Sequence, residues 1–120
     1  YNTWPLMNGE FMPENVSAFG SLWKDLADHK DGVQFVHRNL AWLVAAAFIT
    51  YAVRFRKTPC MPWKDLISAV LIQFVLGVIT LLTHVEISIG MLHQLGAVLL
   101  LTVALKAVRI TGRQLASTPA

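Results

Sequence analysis

Charge is what this chain has least of. Asp, Glu, Lys and Arg make up 14% of its 120 residues, against roughly 25% in soluble domains. The shortfall is local, because three apolar blocks hold almost no charge while the segments between them hold nearly all of it. With 55% hydrophobic residues and a mean hydropathy of +0.52, that pattern belongs to a chain that crosses a membrane several times. The net charge of +3 is therefore no sign of a nucleic-acid partner, and none is expected. Cysteine is scarce as well. Cys60 stands alone, which excludes an internal disulfide. Metal-cluster spacings, a P-loop, a nucleotide-binding glycine pattern and a serine nucleophile motif are all missing. The chain opens at Tyr1 without an initiator methionine or a signal-type core, and so reads as the remainder of something longer or as a processed product.

What is present falls into an external segment, a membrane domain and a tail, at residues 1–32, 33–110 and 111–120. The first is rich in turn formers (Asn2, Pro5, Asn8-Gly9, Pro13) interleaved with Trp4, Leu6, Met7, Phe11 and Met12. Aromatic residues of this kind favour the headgroup region, so the segment is expected to fold over the end of a helix bundle as a lid. Ser17 to Asp28 predicts a short amphipathic helix with Phe19, Leu22, Trp23 and Leu26 on one face, ended by Asp31-Gly32. Spans are expected at about Val33 to Val53, Asp65 to Thr83 and Ile87 to Val108, each close to the roughly 20 residues that cross a hydrocarbon core. Ala45-Ala46-Ala47 offers a small-residue face for a neighbouring helix. Pro59 and Pro62 stop helix in the first connection, and Val85-Glu86-Ile87-Ser88 makes a tight second turn. In the second span Gln73, Gly77, Thr80 and His84 recur on one face, which should turn toward neighbouring helices. The tail from Thr111 onward reads as disordered.

Sidedness follows from the charges. Arg54, Arg56, Lys57, Lys64, Lys106, Arg109 and Arg113 share one side, which the positive-inside rule makes cytoplasmic or matrix. Residues 1–32 and the second turn, with Glu10, Glu14, Asp25, Asp28, Asp31 and Glu86, then lie on the outer side. The fold class expected is all-α, with three transmembrane helices.

Two histidines stand out against this frame. His37 and His93 each lie a turn or so inside the outer end of an apolar span, on helices that run in the same direction. A histidine costs free energy in hydrocarbon, and neutral imidazole is the usual nitrogen ligand of haem iron. The matched depth points to a pair of axial ligands, with Gly90 and Ala97 leaving room beside His93 and Ala41, Val44 and Phe48 forming a wall below His37. Arg38, at the wet end, suits a haem propionate. The competing reading makes each histidine an interhelical hydrogen-bonding residue and Arg38 a snorkelling side chain. His84, on the polar face of the second span, is a rival ligand, and His29 belongs to an exposed surface.

Tyr1-Asn2-Thr3-Trp4-Pro5-Leu6-Met7-Asn8-Gly9, then Pro13, then Val33-Gln34-Phe35-Val36-His37-Arg38, then His93-Gln94-Leu95-Gly96-Ala97 form an ordered set. It resembles the C-terminal half of haem A synthase, a membrane enzyme of cytochrome oxidase assembly, over essentially the whole chain. The resemblance implies two similar four-helix halves, with a histidine pair in each. The pair matching His37 and His93 would ligate iron in a resident haem b, and the other half would hold haem O, whose methyl group is oxidised to the formyl of haem A. This chain would then be three helices of a four-helix haem-binding bundle. A fourth helix would come from an N-terminal half, a partner chain or self-association as a homo-oligomer. Val85-Glu86 departs from a Val-Pro common in the family. The resemblance also implies a bacterial cytoplasmic or mitochondrial inner membrane, and a chain that by itself binds haem at best. The alternatives are a membrane b-type cytochrome, an oxidase-assembly subunit without synthase activity, and a structural three-helix subunit without cofactor.

Overall fold

Each apolar block folds as one uninterrupted helix. The computed structural model describes residues 1–17 and 20–117. After a short 3-10 turn at Glu14–Ser17 come α1 (Leu22–Asp28), α2 (Lys30–Arg54), α3 (Trp63–Leu82) and α4 (Ile87–Ser117). The last three are long and apolar enough to cross a membrane, and the described residues contain no β-strand beyond an isolated Met7–Glu10 bridge. The protein is an all-α integral membrane protein with three candidate spans, as its composition requires.

The helices alternate in direction, so α2 and α4 run parallel with α3 packed against both. At the basic end they close tightly. Ala52 of α2, Leu66 of α3, and Ala104 and Ala107 of α4 are buried together with Met61 of the connection, under Phe48, Tyr51, Phe55, Trp63 and Leu100. Small residues allow the close approach there. Tyr51 and Thr111 are joined through their hydroxyls, and Thr111 already donates to the Ala107 carbonyl at 3.1 Å. The Tyr51 hydroxyl is therefore the donor across the pair, pinning α2 to α4. Tyr51→Phe should lower stability by about 0.5–1.5 kcal/mol, read as an earlier thermal midpoint in detergent, with the outer end of the bundle unaltered.

Three local expectations are corrected. Gly32 does not break a helix; it lies inside α2, buried. A Cβ at Gly32 would fall 1.9 Å from the Asp25 carbonyl oxygen, so the glycine is there because α1 crosses α2 backbone to backbone. The break falls at His29, whose extended φ of −87° and ψ of 131° separate the two helices, and which is half-buried beside Asp31 at 4.0 Å rather than exposed. α1 is not built on the face expected of it: Trp23 is 82% exposed while Asp25 is buried. The side chains of Phe19 and Leu22 lie outside the described residues. Lastly, α4 continues to Ser117, well beyond Val108. Lys106, Arg109 and Arg113 mark an interface, but Arg, Gln, Leu and Ala are good helix formers and carry the helix on past it.

The turn between α3 and α4 shows what glutamate does in place of proline. His84 and Val85 take φ of +58° and +59°, a costly conformation for a β-branched residue. A proline at position 86 would drive Val85 toward extended backbone. Glu86 instead caps α4, its carboxylate accepting from the Ile89 N–H at 3.0 Å. Backbone N–H groups of Ile89 and Ser88 hold that carboxyl below its ordinary pKa.

Candidate functional site

At the end opposite the packed core the same three helices leave a cavity of about 410 Å³, walled by α2, α3 and α4 and reached by Trp4. That size falls within the range of small-molecule and cofactor sites. The difference between the two ends lies in the side chains along one ridge. On α4 the inward face reads His93, Ala97, Leu100, Ala104, Ala107, Thr111, the first three lining the cavity and the next two the closed core. On α2 it reads Gln34, His37, Ala41, Val44 at the cavity, then Phe48 and Ala52 in or against the core. Phe48 thus belongs to the packed end and not to the wall below His37. Gly90 has open space around it and does not line the cavity, whereas Ala97 does.

His37 and His93 meet across this cavity. His37 is seven residues beyond Lys30 and His93 six beyond Ile87, counted from the first residues of α2 and α4. Equal depth on parallel helices puts their ring centroids 6.5 Å apart, with ring planes at 84°. Two metal–imidazole bonds of about 2.0–2.1 Å in line, extended to the ring centres, make roughly 6 Å between centroids. The observed separation of 6.5 Å is close to that spacing. No cluster of three or more metal-ligating side chains exists among the described residues. His84 is exposed in the α3–α4 turn and is not part of the cavity lining. The fold brings two of the three candidate histidines together and leaves the third outside.

α3 supplies polar contacts rather than a ligand. The Gln73 side-chain N–H donates to the His93 carbonyl oxygen at 2.9 Å, and the same nitrogen lies 3.2 Å from His93 Nδ1. Gly77 lies directly beneath the His93 ring, where a Cβ would come 3.0 Å from Cε1. Thr80 donates to the Leu76 carbonyl within α3 at 2.7 Å. The polar face of the second span thus turns toward α4 through Gln73 and Gly77, but not through His84. Its glutamine and glycine serve one imidazole, a role their spacing alone does not announce.

Arg38 lines the rim of the cavity and holds the external segment. Its guanidinium donates to the Tyr1 carbonyl at 3.0 Å and approaches that of Leu6 at 3.4 Å, while Gln34 donates to the Tyr1 carbonyl at 2.7 Å. The segment is itself folded around Asn8-Gly9, whose φ values of +53° and +90° make the turn that Asn-Gly favours, closed by the Met7–Glu10 pair. Trp4 stacks on Trp42 at 6.0 Å and meets Phe74 at 6.2 Å, and Phe11 meets Phe35 at 5.8 Å. The aromatic cluster over the cavity was visible in the sequence only as an excess of tryptophan and phenylalanine near an interface.

Comparison with known proteins accords with this arrangement. A family described as cytochrome oxidase assembly protein matches residues 1–105. The chain is 43% identical to a haem A synthase of Caulobacter vibrioides over 87% of its own length and 32% of the relative's. It is 41% identical to one of Flavobacterium johnsoniae over 85% of this chain and 32% of that protein. With one of Wolbachia pipientis it shares 37% identity over 78% of this chain and 26% of the relative. It thus spans about a third or less of the length of these relatives. No solved structure matches it. A match over residues 1–105, which covers the first two candidate spans and reaches well into the third, shows that the chain belongs to the cytochrome oxidase assembly protein family.

Proposed function

We propose that this chain is the haem b-binding C-terminal portion of a haem A synthase-like enzyme, with His37 and His93 as the two axial ligands of the iron. The observation that carries the reading is the imidazole pair, 6.5 Å between ring centroids, at the mouth of a cavity whose walls are otherwise mainly aliphatic and aromatic. Flat apolar walls suit a porphyrin, and ligands on facing helices are how bundles hold such groups. Arg38 at the rim has its terminal nitrogens on loop carbonyls while its Nε is without a partner. It is placed to exchange those neutral acceptors for a propionate, a charge-assisted and stronger contact. A haem held by His37 and His93 would supply one-electron transfer. What the protein's own residues contribute is orientation of the rings, exclusion of water by the Trp4 cluster, and a charge partner at the rim.

Oxidation of the haem O methyl group to the formyl of haem A is assigned to the enzyme as a whole, with an N-terminal half holding that substrate. The same half, a partner chain or a second copy would supply the fourth helix against α2 and α4, where Leu43, Leu95 and Leu99 are exposed. Residues 1–32 are assigned to the periplasmic or intermembrane-space side on the charge asymmetry. The test is the visible spectrum and extracted haem type of the purified intact protein, together with its conversion of haem O. A low-spin b-type spectrum with conversion supports the reading. Haem b without conversion turns it into a plain membrane cytochrome, and no haem at all overturns it.

A further inference from the structure

The amide of Gln73 lies on α3 against the edge of the His93 ring. Its nitrogen lies 2.9 Å from the His93 carbonyl oxygen and 3.2 Å from Nδ1, so the Nδ1 edge is covered and Nε2 is left as the nitrogen for a ligand. Two glycines make this placement fit. A Cβ at Gly77 would meet the imidazole at 3.0 Å, and a Cβ at Gly96 would fall 2.3 Å from Gln73 Oε1. The amide oxygen is buried over Gly96 with no hydrogen-bond partner, in a fold where such groups are almost always satisfied. Glutamine can present either end of its amide. A histidine that ligates a metal through one nitrogen carries its proton on the other and donates it to an acceptor that fixes the ring. Gln73 carries an acceptor on the amide that borders Nδ1, and that acceptor is unused.

We propose that Gln73 is a positioning residue for His93: its amide oxygen accepts the Nδ1 proton when Nε2 binds iron, thereby fixing the ring and setting its electron donation. This rests on the assignment of His93 as a haem ligand. In the present arrangement the amide N–H of Gln73 anchors to the His93 carbonyl, and the same nitrogen faces Nδ1 as a donor would face the tautomer with its proton on Nε2. Ligation shifts that proton to Nδ1 and calls for the amide to turn away from the His93 carbonyl, exchanging that bond for the one from Nδ1. The glycine beneath each group gives the room to do so.

The test is the midpoint potential and ferric EPR spectrum of the haem in the intact protein, compared among wild type, Gln73→Glu, Gln73→Met and Gly96→Ala. A carboxylate opposite Nδ1 strengthens donation and favours ferric iron. Gln73→Glu is expected to lower the potential, by about 59 mV for a tenfold change in relative affinity of a one-electron couple. Gln73→Met, which keeps length and removes the acceptor, is expected to raise it. Gly96→Ala leaves both histidines and Gln73 in place but crowds the amide oxygen, and should move the potential in the same direction as Gln73→Met. Unchanged potentials and EPR signals in all three variants, in a protein whose haem is lost on His37→Ala or His93→Ala, would overturn the role of Gln73 alone. A haem that survives both histidine substitutions would overturn the ligand assignment itself.

Discussion

His37→Ala and His93→Ala should each abolish the low-spin haem spectrum, and they should not do so equally. Removing either imidazole takes away one iron bond, and haem affinity should fall by at least about a hundredfold, or about 2.7 kcal/mol. The two rings are held differently, however. His93 is half-buried, seated on Gly77 and bordered by Gln73, whereas His37 is exposed and no hydrogen bond to its ring is found among the described residues. A pre-organised ligand loses less freedom on binding. His37→Ala should therefore retain some five-coordinate, high-spin haem on His93, while His93→Ala should lose more of it. Haem content and spin state of the purified variants read this directly.

Gly77 gives the second large effect, and its signature is a pair of opposite signs. Glycine in mid-helix is unfavourable relative to alanine by about 1 kcal/mol, so Gly77→Ala should favour α3 on its own account. The same methyl group would lie 3.0 Å from His93 Cε1 and 3.6 Å from both ring nitrogens. The ring must shift by a few tenths of an ångström, which a half-buried side chain can do in the haem-free protein but could not while holding a haem. Overpacking of this kind costs about 1–3 kcal/mol, which corresponds to a roughly five- to hundredfold weaker hold on haem. Gly77→Val should go further. The measurement pairs the thermal midpoint of the haem-free protein, expected unchanged or higher for Gly77→Ala, with haem affinity, expected lower. Equal affinity in Gly77→Ala would mean that the His93 ring does not rest on α3 when the site is filled.

Much of this site was legible before any coordinates. The spans announce themselves by length and lack of charge. Direction of travel then puts His37 and His93 at one depth on parallel helices, while the distance between their rings is set by how the helices pack. The outward surface of α4, with Leu92, Leu95, Leu99 and Leu105 exposed, is the complement of its inward ridge. Less was legible wherever a residue's role depends on something distant in sequence. Gly32 reads as a helix breaker because glycine commonly is one; only the crossing of α1 over α2 turns it into a packing residue. Gln73 and Gly77 share a polar face by spacing, but nothing in that spacing says that both serve an imidazole twenty residues away. His84 shares the same face on a helical wheel and leaves it because α3 ends at Leu82 and the chain turns to positive φ. The end of α4 was misplaced because charged residues mark an interface without stopping a helix.

The central claim is that one iron is held between His37 and His93. Imidazole titration of His37→Gly and His93→Gly variants, each reconstituted with haem b, tests it most directly, with His84→Ala as the comparison. Each glycine variant opens one axial position next to a cavity that can admit a free imidazole. The account predicts that both variants lose the low-spin spectrum and regain it on adding imidazole, one molecule per haem, while His84→Ala keeps it throughout. A low-spin spectrum that persists in either glycine variant without imidazole, or that disappears in His84→Ala, would contradict the assignment.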